Sequence, residues 1–153
     1  MKKTMILIAA ALTLASCCGK HTVELIPEEN FATEVDGKPV SLYTLRGGKL
    51  TMQVTNFGAR VVSLWTPDKR GSFEDVVLGY DNIESYVHNP GERFLGAVVG
   101  TYANRIAGGT FTIGDNVYNF PKNNNGQTLH GGLKGVDMLV WDVCEVTDSS
   151  IVM

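Results

Sequence analysis

The clearest periodicity in the chain runs from Lys49 to Thr55. Leu50, Met52 and Val54 alternate there with Thr51, Gln53 and Thr55, which predicts a strand with one apolar and one polar face. Strand-like runs continue on either side of it. Phe31 to Val35 and Lys38 to Leu45 flank Asp36-Gly37, a dipeptide suited to a tight hairpin because both central residues of the turn need positive φ. In the second of these runs Val40, Leu42 and Thr44 share one face and Ser41, Tyr43 and Leu45 the other, a loose alternation suited to a strand partly covered on both sides. Gly47-Gly48 gives the next turn, Asn56-Phe57-Gly58-Ala59 interrupts the pattern, and Arg60 to Thr66 resumes it. Pro67 to Gly71 reads as a turn and Glu74 to Leu78 as a short strand.

A helical signal appears near residues 81–87. Asp81 is placed to cap the first turn, Glu84 follows three residues later in a capping-box pattern, and Asn89-Pro90-Gly91 stops the helix. Beyond it the chain is apolar and Gly-broken from Phe94 to Thr101, then carries Asn104-Arg105. A hairpin is expected from Thr110 to Ile113 and Val117 to Phe120, then an Asn-rich loop with a turn at Asn125-Gly126, then His130 before two glycines. The apolar run Met138 to Val146 precedes a turn at Thr147 to Ser150, and Ile151 to Met153 opens a strand. Such a strand either pairs backward or awaits a partner from a longer, truncated domain, because an open edge is a liability. The pattern as a whole is all-β.

Composition supports a packed domain: 153 residues, 44% hydrophobic and 19% charged. A net charge of −3, with no basic cluster beyond Lys2-Lys3, gives no reason to propose nucleic acid as a partner. Lys2-Lys3 and the apolar run Met5 to Leu14, too short to span a bilayer, read as an export signal. Leu14-Ala15-Ser16-Cys17 resembles the bacterial lipoprotein signal, which implies a signal peptide over 1–16 and lipid on Cys17. The protein would then be exported and membrane-anchored, on the periplasmic or outer-membrane side. Residues 17–29 read as a tether and 30–153 as the domain. Cys18 and Cys144 form no disulfide framework, and Cys144, in a strand-like run, reads as a buried structural residue.

The candidate chemistry is sparse. His21, His88 and His130 have no metal-ligand spacing, and there is no nucleophile elbow or phosphate loop, so no metal or cofactor is expected. Glu74, Asp75 and Asp81 occupy turn or cap positions. Arg105 lies between apolar residues and glycines, where an unpaired charge would be costly to bury. Its partner is either a carboxylate or the hydroxyls of a ligand, and structural ion pairs are the commoner case. His130 is equally ambiguous, although its glycines suggest a close approach to its backbone. The stretch Gly96 to Gly132 thus holds a polar pair and a histidine at two ends that a hairpin could bring together.

From Asn56 to Trp141 the chain resembles the N-terminal part of the aldose 1-epimerase (galactose mutarotase) family. The matching stretches are Asn56-Phe57-Gly58-Ala59, Pro67-Asp68, Asp75-Val76-Val77-Leu78-Gly79-Tyr80-Asp81, Ala103-Asn104-Arg105-Ile106 with Gly109 and Phe111, Leu129-His130-Gly131-Gly132, Lys134-Gly135 and Val140-Trp141. The resemblance implies a galactose mutarotase-like β-sandwich, present only as its N-terminal portion, and interconversion of the α and β anomers of a free aldohexose such as galactose or glucose. It implies that Asn104, Arg105 and His130 contact the sugar. The family's general acid, a second His, and its general base, a Glu, belong to a C-terminal part with no counterpart in these residues, so no catalytic residue is assigned. Thr101 stands where many relatives carry Arg. The alternatives are a non-catalytic carbohydrate-binding sandwich module, or a chain that does not fold alone.

Overall fold

A computed structural model of the chain describes residues 21–88 and 91–153. The signal peptide expected over 1–16, and Cys17 and Cys18, lie outside the described residues. The order of elements is β1 (Thr33–Val35), β2 (Lys38–Val40), β3 (Leu42–Gly47), β4 (Leu50–Thr55), β5 (Arg60–Pro67), β6 (Phe73–Asp75), α1 (Ile83–His88), β7 (Arg105–Ile106), β8 (Thr110–Ile113), β9 (Asn116–Asn119), β10 (Thr128–Leu129), β11 (Glu145–Val146) and β12 (Ile151–Val152). An antiparallel meander β3-β4-β5-β6 forms the main sheet, and the other strands pair as β1-β2, β7-β10, β8-β9 and β11-β12.

The Asp36-Gly37 hairpin forms as expected, with φ of 52° and 75° at its two turn residues. The run from Lys38 to Leu45 is divided at Ser41, whose N–H donates to the Asn56 side chain at 2.9 Å. Toward the end of β4 both faces are buried, with Val54 on the apolar side and Gln53 and Thr55 on the polar side. Gln53 and Thr55 are fully buried while Leu50 is 47% exposed. Gln53 earns this place by bonding both the N–H and the C=O of Ile26, each at 2.9 Å, so its amide acts as a surrogate strand for the incoming chain. The chain ahead of Ile26 also meets the sheet: at the β6 edge His21 N–H donates to Ser72 Oγ and His21 O accepts the Phe73 N–H, each at 3.0 Å.

The helix starts one residue later than its expected cap. Asn82 Oδ1, not Asp81, accepts the Ser85 N–H at 2.9 Å, the geometry of an N-cap. Ile83 and Tyr86 are its buried face, and they join Phe31, Val40, Leu42, Phe57, Val62 and Val140 in the core. Cys144 is exposed, against expectation, because the segment holding it forms only a short ladder on the rim. Ile151–Val152 pairs backward with Glu145–Val146 around the Thr147–Ser150 turn.

Asn56-Phe57-Gly58-Ala59, the interruption between β4 and β5, is where three distant segments converge. Asn56 bonds the carbonyls of Pro39 and Trp141, and Gly58 N–H reaches Leu139 O at 2.7 Å while Gly58 O accepts from Val98. Gly58 has φ of 72° and stands against the Asp137 carbonyl, so a side chain there would face both backbone strain and a clash. This corner anchors the loops 94–98 and 137–141 that flank the site.

Candidate functional site

β7 and β10 are two residues long, yet their register, Arg105 opposite Leu129 and Ile106 opposite Thr128, brings the two ends of the Gly96 to Gly132 stretch together. The intervening residues leave as a 3-10 turn, run out and back through β8-β9, and return through the Asn-rich loop closed by Asn124 and Gln127. Asn104 and His130 then sit side by side. His130 N–H donates to Asn104 O at 3.0 Å, and Asn104 N–H donates to His130 Nδ1 at 3.0 Å. Both residues have left-handed φ, 62° and 50°, which Asn and His tolerate better than most.

This second bond fixes the imidazole's chemistry. A backbone N–H can only donate, so Nδ1 must present its lone pair, and the neutral ring carries its proton on Nε2. His130 therefore offers a ligand a hydrogen-bond donor. The Phe94 ring meets it edge to face, with centroids 4.7 Å apart.

Arg105 is exposed, and its expected ion pair is absent among the described residues. Its Nε donates to Asn124 Oδ1 at 3.1 Å and its Nη1 to Asn104 Oδ1 at 3.0 Å. Two amide oxygens thus orient the guanidinium without neutralising it, and Nη2 has no protein acceptor among the described residues. A fork held in this way suits an array of hydroxyl oxygens. An open groove lined by Tyr102, Arg105, Ile106, Thr110, Phe111 and Ile113 adjoins it. The glycines after His130 serve the fold. Gly131 stands against the Gly100 carbonyl, and a Cβ on Gly135 would lie 2.6 Å from His130 O.

Behind the site lies a charged network that the sequence pattern did not reveal. Arg93 grips Asp137 with a two-pronged contact, Nε to Oδ2 at 2.6 Å and Nη2 to Oδ1 at 2.8 Å, and donates from Nη1 to Gly132 O at 3.0 Å. Arg60 and Asp137 are both 0% exposed. Arg60 bonds the carbonyls of Arg93, Leu95 and Asp137 and lies over the rings of Phe57 and Tyr86. Burial lowers the Arg60 pKa below its ordinary value, and the Asp137 charge opposes that shift. The one sequence signal for Asp137 is an acid in an otherwise uncharged run, Gly135 to Trp141. Asn123 and Asn124, which read as loop residues, are ligands of the 129–132 turn and of Arg105.

Residues 41–153 match the sequence model of the aldose 1-epimerase family. The chain is 41% identical over 124 residues to a probable aldose 1-epimerase of Arthroderma benhamiae, which covers 78% of this chain and 28% of that protein. It is 39% identical over 105 residues to the galactose mutarotase of Mus musculus, covering 69% and 30% of the two. The solved GalM/aldose epimerase homologue from C. elegans superposes with a TM-score of 0.69 at 31% identity, over 73% of this chain and 34% of that one. Galactose 1-epimerase from Lactobacillus acidophilus NCFM superposes with a TM-score of 0.62 at 29% identity, over 78% and 34%. The chain spans about a third or less of the length of these relatives. The fold is accordingly galactose mutarotase-like, and the chain belongs to the aldose 1-epimerase family.

Proposed function

We propose that Asn104, Arg105 and His130 form the substrate-positioning side of an aldose 1-epimerase site for a free aldohexose such as galactose or glucose. The observation that carries this reading is Arg105: an exposed guanidinium held by two amide oxygens beside a histidine fixed as a donor. In mutarotation a base takes the proton of the anomeric hydroxyl, an acid protonates the ring oxygen as the C1–O5 bond breaks, and the open chain rotates about C1–C2 and recloses. Arg105 and His130 act in this scheme as donors that hold hydroxyl and ring oxygens, not as proton-transfer groups. The family's acid His and base Glu have no counterpart in these 153 residues, so the chain alone is expected to bind and not to turn over.

The test is a titration of the 153-residue chain with D-galactose and D-glucose, followed by NMR, alongside polarimetry of α-D-glucose. Shifts at Asn104, Arg105 and His130 that Arg105→Ala abolishes, with mutarotation at its spontaneous rate, support the reading. Sugar-independent spectra would overturn the binding half of it, and accelerated mutarotation would overturn the other. A non-catalytic carbohydrate-binding module gives the same result here but differs in any longer protein carrying this sequence, where mutarotation would stay at the spontaneous rate.

The targeting reading is proposed in the same way: a signal over 1–16, lipid on Cys17, and the domain held at a membrane surface. Cys17→Ser is expected to move the protein from the membrane to the soluble fraction, and unchanged fractionation would remove the proposal.

A further inference from the structure

We propose that Arg93 is a positioning residue for His130, acting through Asp137, the Gly132 carbonyl and the Phe94 ring. The proposal deepens the sugar-site reading above and rests on it for its functional consequence. His130 occupies a turn with little intrinsic preference for its shape: φ is 50° at His130, 89° at Gly131 and 87° at Gly132. Such a turn holds one geometry only where its surroundings impose it. Arg93 supplies three of those constraints from a single side chain. Its Nη1 takes the Gly132 carbonyl at 3.0 Å. Its Nε and Nη2 take both oxygens of Asp137, whose Oδ1 would lie 2.7 Å from a Cβ on Gly135, the residue packed on His130 O. Its guanidinium carbon lies 4.9 Å from the centre of the Phe94 ring, and that ring meets the imidazole.

The opposite side of the same turn is held by Asn123, which accepts the Leu129 N–H at 2.7 Å and donates to Leu129 O and Gly132 O. Arg93 and Asn123 therefore converge on one carbonyl. The Asn104 N–H to Nδ1 bond that sets the His130 tautomer lies between β7 and this doubly held turn.

A merely structural Arg93 would neutralise the buried Asp137 and do no more. Arg93→Lys separates the two roles, because an ammonium keeps the charge but cannot span two carboxylate oxygens and a carbonyl at once. The experiment is performed on the full chain, isotopically labelled, with Arg93→Lys and Phe94→Leu. Three signals are read: the His130 Nδ1 and Nε2 resonances, deuterium exchange at the Asn104 amide, and exchange in β3 to β5.

Positioning requires that Arg93→Lys and Phe94→Leu move both imidazole resonances. It also requires that they speed Asn104 exchange about tenfold, the loss of roughly 1.4 kcal/mol of local protection, with β3 to β5 unchanged. His130 signals identical to the parent in both variants would overturn it, as would slowed or unchanged Asn104 exchange. If Arg93→Lys loosens β3 to β5 as well, Phe94→Leu decides alone. Galactose titration of the parent separates the two proposals: a parent that ignores sugar removes the functional reading, while His130 unmoved in a sugar-binding parent's variants removes the positioning role.

Discussion

Asn104 carries three duties in one residue. Its backbone adopts left-handed φ, its N–H fixes the His130 tautomer, and its side-chain oxygen holds Arg105. Asn104→Gly keeps the first two and removes the third, so stability is expected to hold within about 1 kcal/mol while the Arg105 contact to sugar weakens. Asn104→Val forces a β-branched residue to positive φ and is expected to cost about 1–3 kcal/mol, measured by urea denaturation. The His130 tautomer is itself testable: at neutral pH long-range 15N correlation should find the proton on Nε2. The three residues proposed for the site were picked out in the chain, but the contacts each makes were not. The expectation of an ion pair for Arg105 rested on its apolar neighbours in sequence, and those neighbours turn out to leave it exposed.

Strand β4 and helix α1 illustrate what periodicity conveys about an element. The alternation from Leu50 to Thr55 correctly marks a strand, yet it does not convey that near its end the polar face is buried as fully as Val54 on the apolar one. Gln53 is buried because it pairs with the backbone of Ile26, and that partner is 27 residues away. Gln53→Ala would leave two part-buried backbone groups of Ile26 without their partner and is expected to cost about 1–3 kcal/mol in all. In α1 the Tyr86 hydroxyl accepts the Tyr80 N–H at 2.8 Å. Burial raises its pKa above the ordinary 10.0, and the Tyr80 hydrogen bond and the Arg60 charge offset part of that shift. A phenol whose native pKa is raised contributes full stability below its unfolded pKa and loses it as pH rises through the native value. Urea midpoints measured from about pH 9 to about pH 12 are expected to fall, and Tyr86→Phe should flatten that fall while lowering stability throughout.

Across the whole molecule the buried Arg60–Asp137–Arg93 network ties the β4–β5 corner to the loops that carry the site. Breaking it from one end leaves uncompensated buried charge. Asp137→Ala is therefore expected to cost about 3–5 kcal/mol, a large share of the 5–15 typical of a domain. The double replacement Arg60→Met with Asp137→Leu should cost less than Asp137→Ala alone, because a buried pair is often replaceable by apolar bulk. Denaturation of the two variants beside the parent measures the difference. The aromatic face of the β8-β9 hairpin, where Phe111 stacks on Tyr118 and Phe120, remains exposed beside this framework.

Most of the strands, the Asp36-Gly37 turn, the short helix and the family are legible in the chain, because each is written in local pattern: period two, turn residues needing positive φ, and short motifs in fixed order; β6 is displaced to Phe73–Asp75 from the expected Glu74 to Leu78. The sequence by itself also marked Asn104, Arg105 and His130. Only the tertiary structure decided how they meet, since Arg105 and Leu129 pair across 24 positions through a ladder too short to announce itself. The same holds for the Arg93–Asp137 grip. A buried charge is tolerated because of its partner, and the partner of a residue is a property of the fold and not of its neighbours in the chain.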